Sequence, residues 1–90
     1  MINIAHLIKV ADAYGTSAQV EEKTVSSRVF QDSKKLGAIR AGADITVGRY
    51  NAAIIWFDAN WPEGAEWPRD VLRPLTADRL DAMFHTEPAA

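Results

Sequence analysis

Residues 36–42, Leu36-Gly-Ala-Ile39-Arg-Ala-Gly42, set the strongest constraint on the fold of this chain. Two aliphatics three positions apart share one side of a helix, and a following glycine fits the left-handed position at which helices stop. The segment predicts a short helix that ends at Gly42, turns on polar residues and hands over to a longer amphipathic helix ending near Trp56-Phe57. Upstream, Glu21 to Phe30 predicts another helix, separated from the short one by the polar stretch Gln31-Asp32-Ser33. Two helices joined by about three residues form a recurring helical unit.

The remaining pattern extends this unit in both directions. Ile4, Leu7, Ile8, Ala11 and Tyr14 recur at three- and four-residue steps and predict a first helix from about Asn3 to Tyr14. Gly15-Thr16-Ser17 then either stops that helix or loosens it. In the second helix Val25, Val29 and Phe30 face inward, with Lys23, Ser27 and Arg28 outward. Asp32 or Ser33 is placed to cap the third helix, and Thr46 the fourth, because a short side-chain oxygen accepts from the free amides of a first turn. The fourth helix carries Tyr50, Ala53, Ile54 and Phe57 on its inner side and cannot run far beyond Pro62.

After it, Trp61-Pro-Glu-Gly-Ala-Glu-Trp67-Pro68 is rich in turn formers. Its two indoles are expected to fold back over the core, with a partner surface as the alternative. Thr76 can cap a last helix, 77–85, whose Leu80, Met83 and Phe84 line one side, for the core or for a dimer contact. The expectation is an all-α single domain over 1–90, a compact bundle of about five helices near 3–14, 21–30, 33–41, 46–59 and 77–85. Residues 60–90 form a C-terminal extension and possible dimerisation segment.

Ninety residues make one domain with a modest core, which favours completion by a second copy. The hydrophobic share of 48% against 24% charged fits an ordered chain. There is no cysteine, so disulfides and thiolate metal sites are excluded. No apolar run reaches the roughly 18–20 residues of a membrane span, and the N-terminus lacks the pattern of a secretory leader. The expected compartment is the cytoplasm, with no membrane partner.

The net charge of −2 conceals an asymmetry. Between residues 23 and 49, six cations (Lys23, Arg28, Lys34, Lys35, Arg40, Arg49) face two acids (Asp32, Asp44); from 50 to 90, three cations face seven acids. A basic middle and an acidic tail suit a protein that turns one face toward a polyanion. Catalytic chemistry finds little footing. His6 and His85 lie at opposite ends, no glycine-rich phosphate loop occurs, and adjacent Glu21 and Glu22 point in different directions on a helix. No enzymatic activity, cofactor or metal is expected.

Val25-Ser26-x-x-Val29, followed by Asp32-x-x-x-Leu36-x-x-Ile39-x-x-Gly42, resembles the lambda-repressor-like (XRE-type) helix-turn-helix family. That family shows Leu-Ala-x-x-x-Gly-Val-Ser-x-x-x-Ile-Ser-x-Ile-Glu-x-Gly, and the spacing matches without gaps across 25–42. Phe30 and Gln31 depart from it, standing where the family's turn prefers glycine and a small apolar residue. The whole chain also resembles small regulators from phages and integrative elements.

The resemblance implies sequence-specific binding of double-stranded DNA by a homodimeric transcriptional repressor that reads an inverted repeat. The start of the third helix would enter the major groove, with Ser33, Lys34, Lys35, Gly37 and Ala38 toward bases. Lys23, Ser27, Arg28, Arg40 and Arg49 would flank it, the cations among them neutralising phosphates. Trp61, Trp67, Leu80, Met83 and Phe84 would form the dimer or partner surface.

A second register fits the same residues. Thr24-Val25-Ser26-Ser27-Arg28 also resembles the start of a recognition helix, with the first helix as its partner and Thr16 to Val20 as the turn. Base contacts then fall to Lys23, Thr24, Ser27 and Arg28. This register requires a long turn and places Glu21 and Glu22 against DNA, so the first is preferred. Two other functions share the fold: a protein-interaction module of antiactivator or antitoxin type, and an architectural or excision factor that bends DNA.

Overall fold

The computed structural model describes residues 2–73, which form four helices and no strand. These are α1 (Ile4–Ala18), α2 (Glu22–Phe30), α3 (Lys35–Arg40) and α4 (Val47–Ala59). The expected helix 77–85, with Leu80, Met83 and Phe84, lies outside the described residues. None of the described helices is long and apolar enough to cross a membrane.

α1 starts on Asn3, whose Oδ1 accepts from the His6 amide at 3.2 Å, and buries Leu7, Val10, Ala11 and Tyr14. It runs four residues past the expected end at Tyr14. Gly15 does not stop it; Gln19 does, in the left-handed conformation (φ 60°), while the Val20 amide closes on the Gly15 carbonyl at 3.0 Å. A left-handed non-glycine residue carries no sequence mark comparable to glycine, which explains the misplaced end.

α2 buries Val25, Ser26 and Phe30, with Val29 packed at the edge of the core, and stops at Gln31, also left-handed (φ 57°). α3 begins at Lys35, two residues later than expected. Asp32 does cap this region, but its Oδ1 takes the Lys34 amide at 2.9 Å and holds Ser33 and Lys34 in the turn. At its far end Gly42 (φ 114°) closes the helix as expected, its amide bonded to the Ile39 carbonyl and that of Ala43 to the Ala38 carbonyl. α4 starts on Thr46, whose Oγ1 accepts from the Arg49 amide at 3.2 Å, the cap read from sequence.

The core gathers Leu7, Val10, Val25, Leu36, Ile39 and Phe57, one or two from each helix, each almost fully withdrawn from solvent. Burial of each such side chain contributes roughly 1.5–3 kcal/mol. Residues 60–73 carry no helix yet complete this core. Trp67 is buried, its indole N–H donates to the Val71 carbonyl at 2.9 Å, and its ring lies 4.8 Å from that of Trp61. Trp61 in turn donates to the Ala65 carbonyl at 3.0 Å and tilts against Tyr14 of α1 at 6.2 Å. The two indoles therefore fold back over the bundle, as expected from their turn-rich surroundings.

Charges fasten the same segment. Arg73 lies over the Trp67 ring at 4.9 Å and bonds Asp58 of α4 at 2.5 Å, where the carboxylate side chain is only 5% exposed. Lys9 of α1 pairs with Asp70. That ammonium, followed by a backbone hydrogen bond at Asp70 itself, holds the Asp70 carboxyl below the ordinary aspartate range. A lowered folded-state pKa means the pair's contribution is present above the unfolded pKa and lost as pH falls through the folded one. NMR titration of Asp70 should give a midpoint below ordinary aspartate, and Lys9→Met should raise it; an unmoved midpoint would show that Lys9 is not the cause.

Candidate nucleic-acid interface

Two short connections bracket α2, and they differ. α1 reaches α2 through three residues, Gln19-Val20-Glu21, whereas α2 reaches α3 through four, Gln31 to Lys34. The first connection brings backbones close. A Cβ built on Gly15 would meet the Val20 carbonyl oxygen at 3.2 Å and Cγ2 of Val25 at 3.5 Å. The missing side chain lets α2 seat directly on the last turn of α1.

The second connection is organised from within α2. Ser26 is 0% exposed; its hydroxyl donates to the Asp32 carbonyl at 2.5 Å and accepts from the buried Leu36 amide at 2.9 Å. α3 has no side-chain cap at its own first position, and a six-residue helix is too short to hold itself in water. The Ser26 hydroxyl, together with the Asp32 carboxylate on the Lys34 amide, sets where the turn ends and α3 begins.

With Val25, Ser26, Val29 and Phe30 turned inward, Lys23, Thr24, Ser27 and Arg28 share the opposite side of α2 at one- and four-residue steps. Lys23, Ser27 and Arg28 are exposed and Thr24 is half-buried. This face offers two cations and two hydroxyls, and no carboxylate. On α3 the exposed positions after Lys35 include Gly37 and Ala38, with Ala41 beyond, none of which has a polar side-chain atom. Ser33 and Lys34 are exposed in the turn, and Lys35 is half-buried at the start of α3.

The cations expected to flank the reading helix divide into two groups. Arg40 is engaged: its guanidinium bonds Glu22 at 2.5 and 2.9 Å and Asp12 at 2.7 Å, tying α3 to both α1 and α2. Asp12 first, then Glu22, raise its pKa above the ordinary arginine value. Arg28 donates to the Tyr14 hydroxyl at 3.0 Å. The side chains of Lys23, Lys34, Lys35 and Arg49 have no hydrogen-bond or ion-pair partner among the described residues. Outside this region the described lysines and arginines are all paired: Lys9 with Asp70, Arg69 with Glu66, Arg73 with Asp58.

A cleft of about 300 Å³ follows the α1–α2 seam, and both carboxylates on its wall, Asp12 and Glu22, are already bonded to Arg40. Among the described residues no cluster of three or more His, Asp or Glu side chains is placed to hold a metal ion. Of the expected partner surface, Trp67 is buried and Trp61 half-buried, each bonded within the chain. Sequence reasoning missed the bridging role of Ser26, the packing role of Gly15 and the Asp12–Arg40–Glu22 cluster. No protein-family profile matches this chain, and no curated protein or solved structure matches it either.

Proposed function

We propose that this chain is a sequence-specific, double-stranded-DNA-binding transcriptional regulator of the lambda-repressor-like kind, acting as a homodimeric repressor on an inverted repeat. One observation carries the reading: the unpartnered cations Lys23, Lys34, Lys35 and Arg49 fall between residues 23 and 49, while the described cations outside that region are neutralised within the fold. Unmatched positive charge on a net-negative chain suits phosphate contact, in which each neutralised phosphate releases counterions. A dimer would set its two reading helices about 34 Å apart, one turn of DNA. The protein-interaction reading draws on Trp61 and Trp67, whose rings serve the chain's own packing.

Fluorescence anisotropy on duplexes flanking the protein's own gene, against scrambled duplexes over a salt series, tests the proposal. The expected result is tighter binding to one flanking duplex, with affinity falling steeply as salt rises. Lys34→Ala/Lys35→Ala should flatten the log–log salt slope by about 2, roughly 0.9 for each phosphate that is no longer neutralised. Binding that ignores salt, or no preference for any flanking duplex over scrambled DNA, counts against an operator near the gene. A bend in the bound duplex with clustered direct sites would move the assignment to an architectural factor.

A further inference from the structure

We infer that α2, rather than α3, is the helix that reads base edges, through Lys23, Thr24 and Ser27, with Arg28 at the rim of the groove and the turn Ser33-Lys34-Lys35 on phosphate. The inference rests on the DNA-binding reading above and departs from the helix that the lambda-repressor-like resemblance assigns, keeping the DNA and changing the reader.

The first support is the joint between α1 and α2. A reading helix is held by a preceding helix across a turn of three or four residues, and the residues near its start meet the bases. α1–α2, with three turn residues, and α2–α3, with four, both meet this length, and each turn opens on a left-handed residue, Gln19 or Gln31. What sets α1–α2 apart is Gly15, which admits the Val20 carbonyl and Val25 to close range. The long turn that counts against this register in the sequence is absent, because α1 continues through Ser17 and Ala18.

The second support is chemical. Base edges in the major groove present donors, acceptors and the thymine methyl, so a reading face needs polar side-chain atoms. Lys23, Thr24 and Ser27 supply an ammonium and two hydroxyls on neighbouring positions of a nine-residue helix. α3 carries its free polar atoms only at its start, on Lys35 and the turn residues Ser33 and Lys34. Past Lys35 its exposed residues are Gly37 and Ala38, which can touch only a methyl group, and Arg40, which is held by Glu22 and Asp12.

The third support concerns the carboxylates beside that face. Glu22 is turned onto Arg40, which also holds Asp12. The exposed cluster keeps one net negative charge, but the Glu22 carboxylate is tied to α3 instead of standing free at the start of α2. Glu21 alone stays exposed there, and a carboxylate accepts from the cytosine amino group. Arg28 is steadied by the Tyr14 hydroxyl on the α1 side, which suits a fixed phosphate contact at the groove edge.

The test is selection of a randomised duplex pool by the full-length chain, followed by affinity measurement on the enriched duplex and on scrambled DNA. Wild type, Lys23→Ala/Ser27→Ala and Lys34→Ala/Lys35→Ala are compared, each checked by circular dichroism for an unchanged helical signal and melting temperature. The expected result is that Lys23→Ala/Ser27→Ala weakens binding to the enriched duplex by about 10–100-fold and changes or erases the enriched sequence. Its affinity for scrambled DNA should change only by the loss of one charge. Lys34→Ala/Lys35→Ala should weaken enriched and scrambled duplexes alike and leave the enriched sequence unchanged. The opposite pattern, with preference kept in the first variant and abolished in the second, overturns the inference and makes α3 the reader. A wild-type chain that enriches no sequence and binds without salt dependence removes the DNA-binding reading itself, and this inference with it.

Discussion

Trp67→Ala is expected to lower the free energy of unfolding by about 3–5 kcal/mol, the usual cost of truncating a large buried aromatic. The reason lies in how many elements this one indole joins. It is 9% exposed, lies against Trp61, hydrogen-bonds the Val71 carbonyl and sits beneath the Arg73 guanidinium. Its removal takes away the ring against which Trp61 and Arg73 rest, and leaves the Val71 carbonyl without its donor. Small domains are stable by only about 5–15 kcal/mol, so the variant should sit near its unfolding threshold at room temperature. Urea denaturation followed by circular dichroism measures the effect, with Trp67→Phe expected to restore part of the stability. A cost below about 1 kcal/mol would mean that residues 60–73 do not belong to the cooperative core.

Ser26→Ala is expected to cost about 2–3 kcal/mol although it removes a single oxygen. That oxygen serves two backbone groups at once, the Asp32 carbonyl and the buried Leu36 amide. Leaving a buried donor unsatisfied costs about 1–3 kcal/mol, well above the net gain of an ordinary hydrogen bond. Hydrogen exchange should locate the damage: the Leu36 amide loses protection first, while amides of α1 keep theirs. Ser26→Thr, which keeps the hydroxyl, should retain more of that protection than alanine does. Equal protection of Leu36 in Ser26→Ala and wild type would show that α3 is held by its packing alone.

The parts of the fold legible in the sequence are those encoded by one residue acting on its neighbours. Thr46 caps α4, Gly42 ends α3, and Leu36 with Ile39 face the core, because each outcome depends on intrinsic geometry or a three-residue spacing. The illegible parts arise from partners far apart in the chain. Arg40 reads in sequence as a phosphate contact because nothing local reveals Asp12, 28 positions away, or Glu22, 18 positions away. Gly15 reads as a possible stop, since the close approach of the Val20 carbonyl and Val25 to its Cα is not written in the residues beside it. Ser26 is one letter of a motif in sequence, and its burial comes from the packing of two helices against each other. The candidate interface shows the same difference: the outward residues of α2 are legible, but the short α1–α2 turn and the tie from Glu22 to Arg40 are not.

Lys9 and Asp70 stand 61 positions apart, and Trp67 and Val71 belong to the same core as Leu7 and Val10. That arrangement bears on how the chain is born. A polypeptide grows from its N-terminus at roughly 5–20 residues per second, so the residues of α1 to α4 are joined before the segment that covers them. During that interval the Tyr14 ring, edge-on to Trp56, has no Trp61 against it. A message cut short just after Ala59 would release four helices with an open aromatic seam, the kind of product that clumps or is captured by chaperones. A chain that ends there lacks Trp61, Trp67 and Val71, and with them the cover of that seam.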